Sequence, residues 1–397
     1  MKHSCDAVVI GGGIIGMSIA RDLAKRGRSV AIYDKGALGE EASKAAAGVL
    51  MPLLRNLDTD ESASAGNIQR NIIDKEFFSL CVDSLNRYRK FIEEIQEEND
   101  SRIFFGAQGV LHLAFTKEEA AALKAMQASF PVESKWKSRE ELRRNEPALS
   151  PEIEAGVCFS SYRHVHNQDL CALLAMDLEM QQPPVDVHEY AQVRKIERTS
   201  SGVTISTDEG TCSARDAVLA AGSWSSLIEC SALPIPPIKP VRGQILKVLA
   251  PSRTFLRHPV YWKDCYVVPR GRELIVGSTL EDAGYEKRVT VGASADILRK
   301  AIHVIPSIAE CSILDSWSGL RPMTADGYPI IGKIDEHLFV ATGHYRDGIL
   351  LAPATAAYMA ELICDGKTNL MIKSFGVERF RQQNTNHRND KKPMVKV

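Results

Sequence analysis

A glycine-rich turn near the N-terminus constrains the fold of this 397-residue chain most strongly. The letters GGGIIG at positions 11–16 follow a short apolar run at 6–10 and open a segment, 14–26, that has the pattern of an amphipathic helix. A second apolar run, Ser29 to Tyr33, comes next. Strand, glycine turn, helix and strand in this order are typical of the βαβ unit of a dinucleotide-binding fold.

The residues of this unit have separate expected roles. Gly11 permits the tight turn, Gly13 lets a pyrophosphate approach the backbone, and Gly16 lets the helix pack closely on the strand. The start of the helix offers free N–H groups and the positive end of the helix dipole to the phosphates. Asp34, at the end of the second strand, is expected to accept hydrogen bonds from the ribose hydroxyls. The motif predicts a dinucleotide, but by itself it does not distinguish NAD from FAD.

Composition and charge exclude several classes of function. The 49 basic and 50 acidic residues nearly cancel, which gives no reason to expect binding to nucleic acid or to an anionic membrane. The nine cysteines occur singly, so neither a zinc site nor a disulfide framework is predicted, and reduced thiols favour a cytoplasmic location. The longest apolar stretch, Ile349 to Ile363, contains Pro353 and Glu361 and is too short to span a bilayer, so no integral membrane contact is expected.

The length predicts two domains, and the periodicity of the apolar residues predicts elements along the whole chain. Helices are predicted at 75–99, 117–128 and 353–363, and strands at 109–115, 217–221 and 338–342. An antiparallel pair is predicted within 193–207, and hairpin arms at 265–269 and 273–277. The polar, basic tail at 381–397 is predicted to be disordered.

Four blocks of sequence carry a resemblance to a known family. They are VVIGGGIIGMSIA (8–20), SKAAAGVL (43–50), AVLAAGSWS (217–225) and the pair WSGLRPMTADGYPIIG (317–332) with ATGHYRDGILLAPATA (341–356). In order and spacing they resemble the D-amino-acid oxidase superfamily of FAD-dependent oxidoreductases, and within it the glycine oxidases of bacterial thiamine biosynthesis. The resemblance extends from about Lys2 to Phe380, nearly the whole chain.

This resemblance implies an α/β fold with a Rossmann-type FAD-binding domain and a second, β-rich α+β substrate domain. The FAD-binding domain is expected to be discontinuous, comprising residues 1–85, 146–228 and 317–380. The substrate-binding domain is expected to comprise residues 86–145 and 229–316.

The resemblance also implies the residues that contact FAD. Beside the glycine motif they are Ile14, Ile15, Asp34, Lys35, Ala42, Ser43, Ala47, Gly48, Val49, Val193, His344, Tyr345, Arg346, Asp347, Gly348, Ile349 and Leu350. Small side chains at 45–48 let the backbone approach a flat ring. Some members of the superfamily attach the flavin to a cysteine in the C-terminal loop, but GHYRDGI (343–349) contains no cysteine, so non-covalent FAD is predicted.

Three residues are expected to face the substrate. An amino acid's carboxylate is best bound by a guanidinium, and Arg321 matches the family's carboxylate-binding arginine. Without the resemblance, Arg321 is interpreted as a surface residue in a turn before Pro322. Tyr266 matches a pocket tyrosine, although a half-buried strand aromatic is the alternative. Arg346 matches another substrate contact, but Asp347 replaces the usual asparagine and could neutralise Arg346 through an ion pair.

Two further departures from the family concern the pocket. Met51 stands where glycine is common and is expected to narrow or reshape the entrance. Asp264 stands where a relative has histidine and could favour a substrate amine. The ten histidines lack metal-binding spacing; His112, His164, His166 and His344 are interpreted as strand or loop residues, and no metal site is predicted.

The function that the resemblance implies is oxidative deamination of glycine or another small D- or N-methyl amino acid. A hydride passes to FAD, and the products are a 2-oxo acid, ammonia and, after reoxidation by oxygen, hydrogen peroxide. With glycine, the imine would supply thiamine thiazole synthesis, and a homotetramer is implied. The alternatives are a D-amino-acid or sarcosine dehydrogenase that uses an electron carrier, a catalytically silent FAD-binding homologue, and an NAD-dependent dehydrogenase that shares only the first motif.

Overall fold

A computed structural model describes residues 3–52, 67–129, 133–231, 235–252 and 255–380. The tail that was predicted to be disordered lies outside these residues. The helices are α1 (Ile14–Lys25), α2 (Glu41–Ala45), α3 (Asn67–Asn99), α4 (Lys117–Ser129), α5 (Arg139–Asn145), α6 (Asn167–Met180), α7 (Val291–Val304), α8 (Gly348–Asp365) and α9 (Leu370–Lys373). The strands are β1 (His3–Ile10), β2 (Val30–Tyr33), β3 (Val49–Leu50), β4 (Phe105–Gly106), β5 (Val110–Ala114), β6 (Ser134–Ser138), β7 (Ala155–Phe159), β8 (Arg163–Val165), β9 (Asp186–His188), β10 (Val193–Arg198), β11 (Val203–Thr207), β12 (Gly210–Leu219), β13 (Glu229–Cys230), β14 (Lys239–Leu249), β15 (Val260–Trp262), β16 (Cys265–Arg270), β17 (Glu273–Gly277), β18 (Ser312–Met323), β19 (Ile330–Asp335) and β20 (Leu338–Thr342).

The first sheet contains the predicted dinucleotide-binding unit. Its parallel part runs in the order β9-β2-β1-β12-β20, and the antiparallel strands β10, β11 and β19 extend it. All four residues of β2 and all five of β20 are buried, as expected for strands covered on both faces. Helices α1, α3, α6 and α8 contribute to the core on one side of this sheet. The Rossmann-type architecture predicted from the sequence is therefore confirmed.

The second sheet is predominantly antiparallel and has the order β18-β14-β17-β16-β15-β5-β7-β6. Helix α7 packs against its central strands, and together they form a separate hydrophobic core. The predicted hairpin arms correspond to β16 and β17, which pair as antiparallel neighbours. This sheet provides the β-rich second layer. A short third sheet has the order β3-β8-β4. Its strands occur where the chain passes from one of the two large sheets to the other.

Sheet membership differs from the predicted domain boundaries at several places. Helix α3 runs without interruption through the boundary at 85/86, because its apolar stripe packs on α6 and α8. Strand β7, which the boundaries assign to the FAD-binding domain, pairs with β5 and β6 in the second sheet. Strand β18 crosses the boundary at 316/317 as one continuous strand. The domain boundaries themselves stay a prediction.

Helix α8 begins at Gly348, ahead of the start that the sequence predicts at Pro353. A proline inside a helix cannot donate a hydrogen bond to the carbonyl four residues earlier, here that of Ile349. The buried hydroxyl of Tyr88 on α3 donates to this carbonyl instead, with a distance of 2.8 Å. Ser84, one turn earlier on α3, also bonds to the backbone of α8. The early start of α8 therefore depends on polar side chains of a distant helix.

Among the helices in the described ranges, α8 alone passes the length and composition test for a membrane-crossing segment. Of that stretch, 72% is buried inside the protein. It is packed against α1 and α3, as expected for the core helix of a globular domain.

Candidate active site

A cavity of about 860 Å³ lies where the carboxyl ends of the first sheet's parallel strands meet the second sheet. Its wall includes the β1–α1 turn, the end of β2, the loop that follows α2, the end of β12 and the segment before α8. Strands β16 and β18 contribute the opposite wall. Nucleotide sites of open α/β folds form at this edge, and the volume is typical of a small-molecule or cofactor site.

The glycine motif forms a closely packed turn. Gly11 has a φ of +111°, and a Cβ placed on it would contact the backbone of Ala220 at the end of β12. A Cβ on Gly16 would overlap the carbonyl oxygen of Gly11. Both glycines are therefore required by the packing of the turn. At the helix start, the N–H of Ile14 donates to Ser43 Oγ at 2.9 Å, so this group differs from the free N–H groups that the sequence led us to expect.

Asp34 is held in a fixed orientation at the cavity wall. Its Oδ2 accepts a hydrogen bond from the N–H of Gly12 at 2.6 Å, and its Oδ1 accepts one from the N–H of Gly36 at 2.8 Å. Burial raises the pKa of Asp34, while these two hydrogen bonds oppose the increase. The carboxylate is therefore fixed at the cavity wall, and its contact with a ribose stays a prediction.

The small-residue loop that follows α2 is anchored by two buried residues that the sequence analysis missed. Asn167 Nδ2 donates to the carbonyl of Ser43 at 2.6 Å, and Asn167 Oδ1 accepts from Arg270. Arg270 also donates to the carbonyl of Ala47 at 3.0 Å, and burial lowers its pKa to about 10. An arginine at the end of the apolar run CYVVPR was the available signal. We name Asn167 and Arg270 the loop anchor.

The structure brings most of the predicted FAD-contacting residues to this one cavity. Those on its wall are Gly11, Gly13, Ile14, Ile15, Asp34, Lys35, Ala42, Ser43, Ala47, Gly48, Val49, Val193, His344, Tyr345, Arg346, Asp347, Gly348 and Ile349. Gly16 and Leu350 do not line it, since Gly16 packs inside the turn and Leu350 is 2% exposed in the core. The glycine turn, the oriented acid and the anchored small-residue loop fit FAD, although each individual contact stays a prediction.

Arg321 lies on β18 and faces the cavity, unlike the exposed turn arginine of the alternative interpretation. Its guanidinium donates to the carbonyl of Thr279 at 3.0 Å and to Ser278 Oγ at 2.7 Å. Among the residues that the structure describes, no carboxylate lies within ion-pair distance of it. Burial lowers the pKa of Arg321, and Tyr266 opposes the decrease. Because two neutral acceptors leave other guanidinium donors available, Arg321 can bind a carboxylate.

Tyr266 lies on β16 and lines the same part of the cavity. Burial raises the pKa of Tyr266, while Arg321 and a hydrogen bond to Ser278 oppose the increase. Two aromatic residues that the sequence analysis did not assign to the substrate site continue this wall. The ring of Tyr261 lies 5.5 Å from that of Tyr266, and the ring of His112 lies 5.3 Å from that of Tyr261. The three rings lie on the neighbouring strands β16, β15 and β5. A local sequence pattern does not show which strands become neighbours.

Arg346 and Asp347 line the cavity in the segment that leads into α8. This segment is attached to β18 through a hydrogen bond from the N–H of Tyr345 to the carbonyl of Pro322, at 2.9 Å. The guanidinium of Arg346 lies 5.6 Å from the centre of the Tyr345 ring. Neutralisation of Arg346 by Asp347 stays a prediction.

The two departures from the family both fall on the cavity wall. The carboxylate of Asp264 forms an ion pair with Lys300 on α7, at 2.5 Å. This ion pair gives little support for a contact between Asp264 and a substrate amine. Met51 is buried, and its Sδ lies 3.1 Å from Nε2 of His112. Within the described ranges, no group of three His, Cys, Asp or Glu side chains could hold a metal ion.

Comparison with known proteins agrees with this geometry. A family model described as FAD dependent oxidoreductase matches residues 6–362. Glycine oxidase of Geobacillus kaustophilus (strain HTA426) is 33% identical over 96% of this chain and 98% of its own length. The bifunctional protein ThiO/ThiG of Trichormus variabilis is 29% identical over 95% of this chain and 55% of its own length.

The crystal structure of glycine oxidase from Geobacillus kaustophilus superposes with a TM-score of 0.83 and 32% identity, and covers 95% of this chain and 99% of that one. The family match and the cavity agree on FAD, which confirms the prediction of a flavin cofactor over NAD. The chain therefore belongs to the FAD dependent oxidoreductase family, whose members include the glycine oxidases.

Proposed function

We propose that this protein oxidises glycine or another small D- or N-methyl amino acid to the 2-oxo acid and hydrogen peroxide, with release of ammonia, or of methylamine from an N-methyl substrate. The observation that carries the proposal is the Arg321 guanidinium, which faces the cavity and bonds there to Thr279 and Ser278. It lies in the same cavity as the anchored small-residue loop at 43–49. The names of the similar proteins, glycine oxidases, support an amino acid as the substrate.

The residues of the site have distinct tasks in this reaction. Arg321 binds the substrate carboxylate, and the hydroxyl of Tyr266 donates a further hydrogen bond to it. The positive charges of Arg321 and Arg346 lower the pKa of a bound ammonium and so favour the neutral amine that oxidation requires. Fixing the carboxylate orients the α-carbon and removes much of the entropic cost of the reaction. Bound FAD supplies the acceptor for the hydride that leaves this carbon.

The physiological setting is part of the same proposal. Molecular oxygen is the electron acceptor, the protein is cytoplasmic, and it forms a homotetramer. With glycine as substrate, the imine is consumed in thiamine thiazole synthesis. The similarity to a ThiO/ThiG protein supports this role.

The test uses the purified yellow protein. We expect glycine, sarcosine, D-alanine or D-proline to bleach the flavin absorbance without oxygen, and air to restore the colour with formation of one peroxide per turnover. Restored turnover only with an added electron carrier would indicate a dehydrogenase. No bleaching by any amino acid would contradict the proposal and favour the silent homologue.

A variant tests the assignment of the carboxylate site. In Arg321→Leu the substrate concentration for half-maximal bleaching should rise at least a hundredfold, because a buried charged hydrogen bond is lost. FAD content should stay normal, and acid precipitation should release all of the yellow colour if the cofactor is bound non-covalently.

A further inference from the structure

One end of the cavity lies away from the nucleotide-binding elements, and its wall is apolar. The side chains of Met51, His112, Leu123, Met126 and Tyr261 form it, and we name this end the apolar compartment. Leu123 and Met126 are one turn apart on α4, so they share a helix face. Both are half-buried against the cavity, whereas the positions beside them on α4 are predominantly exposed.

Arg346 and Asp347, which carry opposite charges, act electrostatically on Tyr261. The following groups in and around the apolar compartment are neutral or paired. Burial lowers the pKa of His112 to about 4, so its imidazole is neutral at physiological pH. At the rim, Lys263 pairs with Glu119 at 3.0 Å, and Asp264 pairs with Lys300 at 2.5 Å. A charged substituent packed against His112, Leu123 and Met126 would be desolvated without a charged partner among these residues, which is unfavourable.

A continuous row of rings connects the apolar compartment with the carboxylate site. Tyr266 lies close enough to Arg321 for each to shift the other's pKa. Tyr266 contacts Tyr261, which stacks on His112, and His112 contacts Met51. A carboxylate bound by Arg321 therefore leaves the rest of the substrate able to extend along this row toward α4.

We propose that the apolar compartment binds an unbranched alkyl or thioether substituent on the α-carbon or the nitrogen of the substrate, so that amino acids larger than glycine are preferred. This inference rests on the proposed function, because it assumes that Arg321 holds the carboxylate. Each methylene that moves from water into an apolar site favours the transition state by about fourfold in kcat/KM. Leu123 and Met126 are the residues that determine this preference.

The experiment compares rates of flavin bleaching for two series. One series is glycine, D-alanine, D-norvaline and D-norleucine; the other is glycine, N-methylglycine, N-propylglycine and N-butylglycine. In at least one series kcat/KM should rise about fourfold per methylene until the compartment is full. The series in which kcat/KM rises shows whether the compartment binds a substituent on the α-carbon or on the nitrogen.

Variants that fill the apolar compartment provide the second readout. Leu123→Trp and Met126→Trp should each lower the ratio of kcat/KM for the longest good substrate to that for glycine by at least tenfold. Ala122→Trp is the matched control, because it adds the same side chain at an exposed position of the same helix. The control should keep the wild-type ratio.

Several outcomes would overturn the inference. The apolar compartment would be ruled out as a binding site if glycine bleaches the flavin faster than every longer homologue, or if both tryptophan variants keep the wild-type ratio. Neither result would contradict the proposed function. Faster bleaching by D-aspartate, iminodiacetate or D-lysine than by D-norleucine would show a charged specificity instead. Absence of bleaching by all of these compounds would contradict the proposed function itself.

Discussion

Gly243 leaves open the space that the guanidinium of Arg321 occupies. A Cβ built on Gly243 would overlap both terminal nitrogens of Arg321. The two residues lie on the paired strands β14 and β18, where Gly243 is opposite Gly319 and Arg321 is opposite Val241. The missing side chain at position 243 therefore determines where the positive charge of the site lies.

Gly243→Ala should weaken substrate binding without loss of the cofactor. The added methyl displaces the guanidinium, and a charged hydrogen bond of about 1.5–3 kcal/mol corresponds to a rise in KM of roughly 10- to 100-fold. Steady-state kinetics and flavin absorbance measure the two effects. Gly292→Ala is the control, since no atom lies within 4 Å of a Cβ at that position. An unchanged KM in Gly243→Ala would show that Arg321 does not hold the carboxylate.

The loop anchor should control the affinity for FAD. Asn167→Leu removes the donor to the carbonyl of Ser43 and the acceptor for Arg270, and leaves buried polar groups without partners. At about 1–3 kcal/mol for such a group, the Kd for FAD should rise roughly 5- to 100-fold. Equilibrium dialysis with fluorescence detection measures this.

Gln168→Ala is the matched control for the loop anchor. Gln168 is half-buried and donates to the same loop, to the carbonyl of Lys44 at 3.3 Å, but through a solvent-exposed hydrogen bond. Its loss should change the FAD affinity less than twofold, because water can replace the donor. Equal effects of the two variants would argue against a special role for the buried amide.

Tyr88→Phe should destabilise the protein, and a second substitution should reverse the effect. Removing the hydroxyl leaves the Ile349 carbonyl without its donor, which costs about 1–3 kcal/mol of unfolding free energy. In the Pro353→Ala background the new N–H can donate to this carbonyl, so the same change should cost less. Urea unfolding of all four members of the cycle tests the coupling. Additive effects would mean that Tyr88 acts only through packing.

His164 should make the protein less stable in mild acid. Its ring is 1% exposed, neither ring nitrogen has a hydrogen-bond partner among the described residues, and burial lowers its pKa to about 4. In the unfolded chain the imidazole has its ordinary pKa near 6.5. Below that pH the unfolded state binds a proton that the folded state does not, so stability is lost as the pH falls from about 6.5 to about 4.

The matching experiment compares urea unfolding of the wild type and His164→Leu at pH 7 and pH 4.5. The loss of free energy on acidification should be smaller in the variant by about 2–3 kcal/mol, the value that the pKa difference implies. Parallel pH profiles for the two proteins would show that His164 has the same pKa in the folded and unfolded states.

The local pattern of the sequence was sufficient to predict the fold of the nucleotide-binding part of the protein. The spacing of Gly11, Gly13 and Gly16 between two apolar runs, with Asp34 at the end, predicts a unit whose strands and helix are neighbours in the chain. Periodicity also located β16, β17 and β20 correctly. The start of α8 was predicted wrongly, because a proline normally ends a helix and the compensating Tyr88 is remote in sequence.

The family blocks of the sequence indicated Arg321, but only the tertiary structure decided what surrounds it. Gly243 reaches the guanidinium through the register of two antiparallel strands, and Thr279 through a third segment of the chain. The site also contains Asn167, His112 and residues of α4, which lie in distant parts of the sequence. The sequence by itself therefore determined the cofactor class and predicted Arg321 as the charged group for the substrate. Long-range pairing and side-chain packing determined the shape of the site, because short-range patterns carry no information about which distant strands become neighbours.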